Sequence, residues 1–148
     1  MFFVAHGGTL RDGEDLDSPR IRTIAGPVAM AEVHYWADDA YLLGKGVPDF
    51  LSPAMRAAVE GYRPVLDGLA DSANPVFELQ EGHSLFVRPD EEHLVTPELL
   101  AAGSCIWTRN GLRARMADLK AAGVGEVSFL VRHNTDEDID DLADALGL

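Results

Sequence analysis

The fold of this chain is decided by a stretch that begins with Gly103-Ser104-Cys105-Ile106-Trp107-Thr108. A helical pattern follows at 112–122, and the apolar run Val127-Ser128-Phe129-Leu130-Val131 comes after it. A second helical pattern runs from Thr135 to Leu146. Strand, helix, strand, helix is the order of parallel α/β units, in which a helix carries the chain back across a sheet. Because parallel strands need neighbours and the rest of the chain shows few other strands, the sequence predicts a sheet that is incomplete.

A further strand is predicted at the start of the chain, where Phe2 to Ala5 form an apolar run closed by Gly7-Gly8. The predicted strands are therefore Phe2 to Ala5, Ser104 to Trp107 and Val127 to Val131. Ser or Thr followed by Pro, at 18–19, 52–53 and 96–97, is the usual start of a helix. The sequence between the first two strands is therefore predicted to be mostly helical.

Three places in this helical region are interrupted. Gly26-Pro27 is predicted to end the first helix and to begin a second, from about Val28 to Leu43. Pro64 is predicted to kink or end the helix that begins at 52–53. Leu85-Phe86-Val87 is predicted as either a strand or a turn of buried helix, because so short an apolar run fits both.

The length of 148 residues is that of one ordinary domain, and we predict a single domain over 1–148. A closed eight-stranded α/β barrel normally needs about 250 residues. Either the fold is smaller than a barrel, or the chain forms part of one.

The charge balance narrows the classes of partner. Twelve basic residues face 25 acidic ones, for a formal net charge of -13. Such a surface repels phosphate, which argues against nucleic acid or an anionic membrane as a partner. The first residues lack the basic stretch of a secretion signal, and no segment approaches the ~20 apolar residues of a membrane helix. The sequence therefore predicts a cytoplasmic protein.

The lone cysteine, Cys105, excludes an intrachain disulfide. Because it lies in a predicted buried strand, we expect a small apolar core residue rather than a nucleophile.

Two strand ends offer candidate ligand sites. His6-Gly7-Gly8-Thr9 follows the first strand, at the end where α/β barrels place their active sites. Its glycines either let a ligand approach the backbone closely or simply make the turn. Thr108-Arg109-Asn110-Gly111 follows the next strand and opens a helix. It either holds a phosphate through free amides and Arg109, or forms an ordinary N-cap with a solvated arginine.

Two metal motifs are not supported. Asp136, Asp138 and Asp140 begin like a calcium loop, but the sixth position is Asp141 and the twelfth is Gly147. A capped helix start explains these acids better. The five histidines do not pair with a glutamate at helical ligand spacing, so the sequence predicts no metal site.

Three segments resemble the carboxyl-terminal portion of the bacterial luciferase-like flavin-dependent oxidoreductases, including the deazaflavin-using branch. The first two segments are fairly specific, and the last is generic to α/β barrels. The segments are Gly13-Glu14-Asp15-Leu16-Asp17-Ser18-Pro19-Arg20 with Ala25-Gly26-Pro27, the run from Glu81 to Glu91 with Leu94-Val95-Thr96, and the run from Leu119 to Val127.

The resemblance implies a partial TIM-type (β/α) barrel, to which this chain supplies roughly the last three strands with helical insertions. It implies a flavin- or deazaflavin-dependent oxidoreductase or monooxygenase acting on a small molecule, with FMN or a deazaflavin of the coenzyme F-420 type as cofactor. The expected activity needs the rest of the barrel, from a partner or from a longer gene product. The alternative is a non-catalytic oligomeric scaffold derived from that barrel.

The resemblance and the strand-end positions together predict the site residues. His6, Gly7, Gly8 and Thr9 are expected to line the cofactor side of the pocket, and Arg20 and His34 are expected to meet substrate. Parallel strand edges with apolar faces do not persist alone in water, so we expect a homo-oligomer or pairing with the missing barrel half.

Overall fold

The computed structural model describes residues 2–69, 71–103, 106–131 and 135–148, and describes only the backbone of residues 2–6, 75, 76 and 135. Four short strands and seven α-helices are described, with one π-helical and one 3₁₀ turn. In chain order these are β1 (Phe2–His6), β2 (Gly8–Thr9), α1 (Pro19–Ala37), the π turn (Asp38–Leu42), α2 (Pro53–Gly61), α3 (Arg63–Gly68), α4 (Pro75–Leu79), the 3₁₀ turn (Glu92–Leu94), α5 (Pro97–Ala102), β3 (Ile106–Trp107), α6 (Arg109–Ala121), β4 (Glu126–Leu130) and α7 (Thr135–Leu146).

The sheets are small and parallel, as predicted. β1 pairs with β4, from Phe2 opposite Glu126 to His6 opposite Leu130. β2 pairs with β3, with Gly8 opposite Ile106 and Thr9 opposite Trp107. The chain is therefore a mostly helical α/β protein. In the part that the structure describes, the strands form two pairs and no barrel.

The predicted strands are confirmed to within a residue or two where the structure describes them. The second begins in the structure at Ile106, because Ser104 and Cys105 lie outside the described residues, and with them the expected burial of Cys105. The final helix, Thr135–Leu146, has the predicted bounds.

The predicted break at Gly26-Pro27 is wrong, because α1 continues through both residues to Ala37. Pro27 removes one backbone donor from the helix, which is the reason that a break was expected. Tertiary packing outweighs this loss. A Cβ at Gly26 would lie 2.9 Å from Val87 Cγ2 and 3.4 Å from Val95 Cγ1, so the loop packs directly on the helix backbone.

Side-chain caps start three helices where the sequence predicted them. Ser52 accepts from the Met55 amide, Thr96 from the Leu99 amide and Thr108 from the Gly111 amide. The chain also divides near Pro64 as predicted, with α2 ending at Gly61 and α3 beginning at Arg63.

Leu85-Phe86-Val87 is neither of the two predicted elements. Leu85 ends a series of turns, and Phe86 and Val87 have no regular secondary structure. Leu85 and Phe86 are exposed, so the burial that the helix prediction assumed is absent for two of the three residues.

The contacts divide the chain into two compact units. Unit 1 comprises Met1–Ala25 and Ser104–Leu148, and unit 2 comprises Gly26–Gly103. Unit 1 contains the strands with α6 and α7, which pack through Leu112, Leu142 and Ala145. Unit 2 is helical, and its buried side chains include Met30, Val33, Val59, Tyr62, Leu99 and Leu100. No helix in the described ranges combines the length and apolar character needed to span a membrane.

Candidate functional site

The predicted cofactor residues lie at the carboxyl end of the amino-terminal strands in unit 1. His6 is the last residue of β1, and its side chain lies outside the description. Gly7 follows with φ of 125°, a conformation that favours glycine. Gly8 and Thr9 form β2 and are buried.

Gly8 has a packing role in this arrangement. A Cβ at Gly8 would lie 3.3 Å from Ile24 Cγ2, which is closer than most such contacts. The glycine therefore lets the first turns of α1 approach the strand. This observation favours the structural alternative for Gly8, while a close approach by ligand at this strand end stays a prediction.

Arg20, predicted to meet substrate, reaches the same strand end. Its Nη2 donates to the Thr9 carbonyl at 2.8 Å, and its Nε donates to Glu14 Oε1 at 2.9 Å. Arg20 Nη2 also pairs with the second oxygen of Glu14. The structure thus brings together two of the predicted site residues, Thr9 and Arg20.

Two further acids, both in α7, complete the surroundings of Arg20. Its Nη1 lies 3.2 Å from Asp141 Oδ2 and 3.5 Å from Asp138 Oδ1. Arg11 also joins this group through Asp141, at 2.9 Å, and Glu137, at 3.0 Å. We call Arg11, Glu14, Arg20, Glu137, Asp138 and Asp141 the arginine–acid cluster.

The cluster sets the ionisation of Glu14. The hydrogen bonds from Arg20 lower the pKa of the Glu14 carboxyl from 4.5 to about 2, although partial burial opposes the change. Hydrogen bonds from the Arg11 amide and the Ser18 hydroxyl lower the pKa further. Glu14 is therefore ionised over the whole physiological range.

We expect Glu14 to make unit 1 sensitive to acid. Its folded pKa is depressed, so its stabilisation is complete above about pH 4.5 and is lost as the pH falls towards 2. The full difference corresponds to about 3 kcal/mol. Glu14→Gln should therefore be less stable than the wild type at neutral pH, and the gap should close as the pH falls, when both are unfolded with urea across a pH series.

The control for this series is Glu137→Gln, because Glu137 pairs with Arg11 where both side chains are largely exposed. Such a pair contributes about 1 kcal/mol or less. A stability gap for Glu14→Gln that stays constant from neutral to acid pH would contradict the assignment.

The cleft at this strand end is small. It has a volume of about 50 Å³ and is lined by Thr9, Leu10, Arg11, Asp12, Arg109, Asp141 and Ala145. Because one water takes about 30 Å³ of liquid, the cleft has room for one or two waters. Arg109 pairs with Asp144 at 2.5 Å, so this arginine has a carboxylate partner in place of a phosphate.

His34, the second residue predicted to meet substrate, lies in unit 2 and is buried. Its Nε2 is 2.8 Å from Glu91 Oε1, and the Tyr62 hydroxyl donates to the same oxygen at 3.2 Å. The other ring nitrogen, Nδ1, lies 3.5 Å from Nδ1 of His83. We call His34, Tyr62, His83 and Glu91 the histidine cluster.

The sequence did not reveal the partners in either cluster. His34 and Glu91 are 57 positions apart, and Arg20 and Asp141 are 121 apart. The local sequence indicated a contact only for Glu14, which precedes Ser18 by four residues and lies in the same segment as Arg20. For the histidine cluster, the only signal was that Glu91 follows His83 in one segment of the resemblance.

Comparisons with family models, curated proteins and solved structures give no match for this chain. Among the described residues, no group of three or more His, Cys, Asp or Glu side chains is arranged to hold a metal ion. The features that bear on function are therefore the geometry of the two clusters and the resemblance of the three segments.

Proposed function

We propose that this chain contributes the carboxyl-terminal portion of a luciferase-like barrel that acts as a flavin- or deazaflavin-dependent oxidoreductase. The observation that carries the proposal is the hydrogen bond from Arg20 to the Thr9 carbonyl, at 2.8 Å. This contact joins Arg20, which belongs to the first resembling segment, to the carboxyl end of β2, and luciferase-like barrels bind ligands at the carboxyl ends of their strands. The parallel strand pairs with their intervening helices support the same architecture.

The cofactor would carry the redox chemistry, by hydride transfer or oxygen activation. The chain would supply the backbone of Gly7, Gly8 and Thr9 beside the ring and a guanidinium, Arg20, at the strand end. His34 is proposed to meet substrate.

The strand-end cleft does not by itself fit a flavin ring. Pockets for ligands of that size have volumes of about 300–1,000 Å³, whereas the strand-end cleft has about 50 Å³. The proposed activity therefore requires further strands beside this edge, supplied by a second copy or by another polypeptide. FMN and an F-420-type deazaflavin remain equal candidates, because the two rings share the shape that such a pocket recognises.

The test is the absorbance of the protein, purified untagged with any partner it retains and then titrated with FMN or with an F-420-type deazaflavin. We expect a bound-cofactor band in the wild type. His6→Ala should weaken binding by about tenfold, the effect of losing one hydrogen bond of about 1.4 kcal/mol. His93→Ala is the matched control, because His93 lies in unit 2 and lines a different cleft, of about 680 Å³, and it should bind like the wild type. Weaker binding by His93→Ala than by His6→Ala would contradict the assignment of the cofactor to the strand end.

A wild-type assembly that is colourless and gains no band with either cofactor would contradict the proposed function. Equal binding by His6→Ala and the wild type would contradict the assignment of the strand end. Arg20→Ala is not used in this test, because removing one partner of a buried ion pair is expected to destabilise unit 1 and would mix a folding effect with a binding effect.

A second candidate function is a non-catalytic oligomeric scaffold. It is favoured by large apolar side chains exposed in unit 2, among them Phe50 at 75%, Phe77 at 80% and Leu85 at 72%. Exposed apolar groups of this size favour association. A colourless protein that sediments as a dimer or larger assembly would support the scaffold, and a colourless monomer would contradict both functions.

A further inference from the structure

In the histidine cluster, a hydrogen bond to Glu91 fixes the orientation of the His34 imidazole. Glu91 is 1% exposed, and its Oε1 accepts from His34 at 2.8 Å and from the Tyr62 hydroxyl at 3.2 Å. Its other oxygen lies 3.4 Å from the Arg88 amide. A carboxylate accepts hydrogen bonds only, so the proton of neutral His34 sits on Nε2. The lone pair of Nδ1 is then directed away from Glu91.

That lone pair meets a second imidazole nitrogen. Nδ1 of His83 lies 3.5 Å from Nδ1 of His34. This separation is at the outer limit of a hydrogen bond between two nitrogens, so direct bonding accounts poorly for the approach. A tetrahedral metal ion with two imidazole ligands at about 2.0–2.1 Å would hold their nitrogens about 3.4 Å apart. The observed spacing therefore matches that of two ligands of one ion.

We propose that His34 Nδ1 and His83 Nδ1 bind a divalent transition-metal cation of the Zn²⁺ type, with Glu91 holding His34 in the binding orientation. Imidazole suits Zn²⁺, Co²⁺ and Ni²⁺ better than it suits Mg²⁺ or Ca²⁺, which prefer oxygen. A carboxylate that accepts from the far nitrogen of a ligand histidine fixes its tautomer and raises its basicity. Two protein ligands leave the remaining positions to water, so the site is open.

The exposure of the two histidines agrees with this assignment. His83 is exposed whereas His34 is buried, so the ion can reach the pair from solvent at His83.

His34 is also the residue proposed to meet substrate, so His83→Ala separates the two proposals, because it removes a metal ligand that has no proposed role in the redox reaction. The pair escaped prediction from the sequence because 49 positions separate the two histidines.

The test is calorimetric titration of the untagged, metal-stripped full chain with Zn²⁺, together with the visible spectrum of bound Co²⁺. We expect one Zn²⁺ per chain. His83→Ala should lower the affinity at least tenfold, because it removes one of two ligands. Glu91→Gln should lower the affinity for Zn²⁺ by about 10–100-fold, the usual effect of losing the carboxylate that accepts a hydrogen bond from a ligand histidine. His93→Ala should bind like the wild type, and excess Mg²⁺ should not displace Zn²⁺.

The decisive variant is His83→Ala, because His83 is exposed and its loss should leave the fold intact. Zn²⁺ should raise the Tm of the wild type and of His93→Ala but not that of His83→Ala, since only a bound ligand stabilises the folded state. Equal Zn²⁺ affinity of His83→Ala and the wild type would overturn the proposal, as would a wild type that binds no Zn²⁺ or loses it to Mg²⁺. Loss of Zn²⁺ to Mg²⁺ would indicate ions held only by the acidic surface.

Discussion

Replacing Arg20 with alanine is expected to lower the free energy of unfolding by about 3–5 kcal/mol, the usual cost of removing one partner of a buried ion pair. Arg20 is the cation that faces Glu14 and Asp138, whose side chains are only 13% and 5% exposed. It also satisfies the Thr9 carbonyl. The substitution leaves these groups without their cation in a setting where water cannot replace it fully.

The size of this effect depends on burial rather than on charge alone. Arg22→Ala is the matched control, because Arg22 lies two residues later in α1 and pairs at 2.9 Å with Asp17, whose side chain is 57% exposed. Exposed pairs contribute about 1 kcal/mol or less. Arg20→Lys should fall between the two, because lysine retains the charge but lacks the planar fork that meets Glu14 and Thr9 together.

Urea denaturation of the three variants would measure these differences. Near-equal effects of Arg20→Ala and Arg22→Ala would show that the arginine–acid cluster contributes no more than a surface pair.

Replacing Glu91 with alanine is expected to lower the free energy of unfolding by about 3 kcal/mol or more. The change leaves the His34 Nε2 donor and the Tyr62 hydroxyl unsatisfied in the core of unit 2, and each unsatisfied buried group costs about 1–3 kcal/mol. It also removes side-chain volume from a position that is 1% exposed. The variant should therefore approach the limit of stability for a chain of this length.

Tyr62→Phe isolates one of these interactions. Burial, with a further contribution from Glu91, raises the pKa of the Tyr62 phenol, so the hydroxyl remains a donor at every accessible pH. Its removal costs one hydrogen bond of about 1 kcal/mol, while Glu91 keeps His34 as a partner. Glu81→Ala, at an exposed position, is the control and should change stability by less than about 0.5 kcal/mol.

Thermal and urea unfolding of Glu91→Ala, Tyr62→Phe and Glu81→Ala would rank these effects. If Glu91→Ala proved as mild as Glu81→Ala, the hydrogen bonds of the histidine cluster would contribute nothing to folding.

The starts of helices were predictable from the local sequence, whereas the residues that the helices contact were not. Ser52 and Thr96 start helices because each side chain accepts from an amide three residues later, and such a signal lies within one turn of sequence. The predicted helix break at Gly26-Pro27 was wrong because it also rested on the local sequence alone. The local signal of this pair is a helix break, and only the approach of Val87, 61 positions later, shows why the glycine is there.

In the candidate sites, even fewer contacts could be predicted from the local sequence. Thr9 and Arg20 were singled out for separate roles, and the contact between them was not predicted. His34 was singled out without its partners. Nothing in a single sequence indicates that His83 and Glu91 converge on it, since these contacts join segments that are distant in the chain.

The division of unit 1 has a consequence for how the protein is made. Its two pieces, Met1–Ala25 and Ser104–Leu148, are separated by all of unit 2. During translation the consecutive residues 26–103 can collapse as soon as they emerge, but β1 must wait for β4 before it gains its parallel neighbour. The partner strand that β1 has in the structure is therefore missing throughout the synthesis of unit 2, and contacts this distant in sequence form slowly.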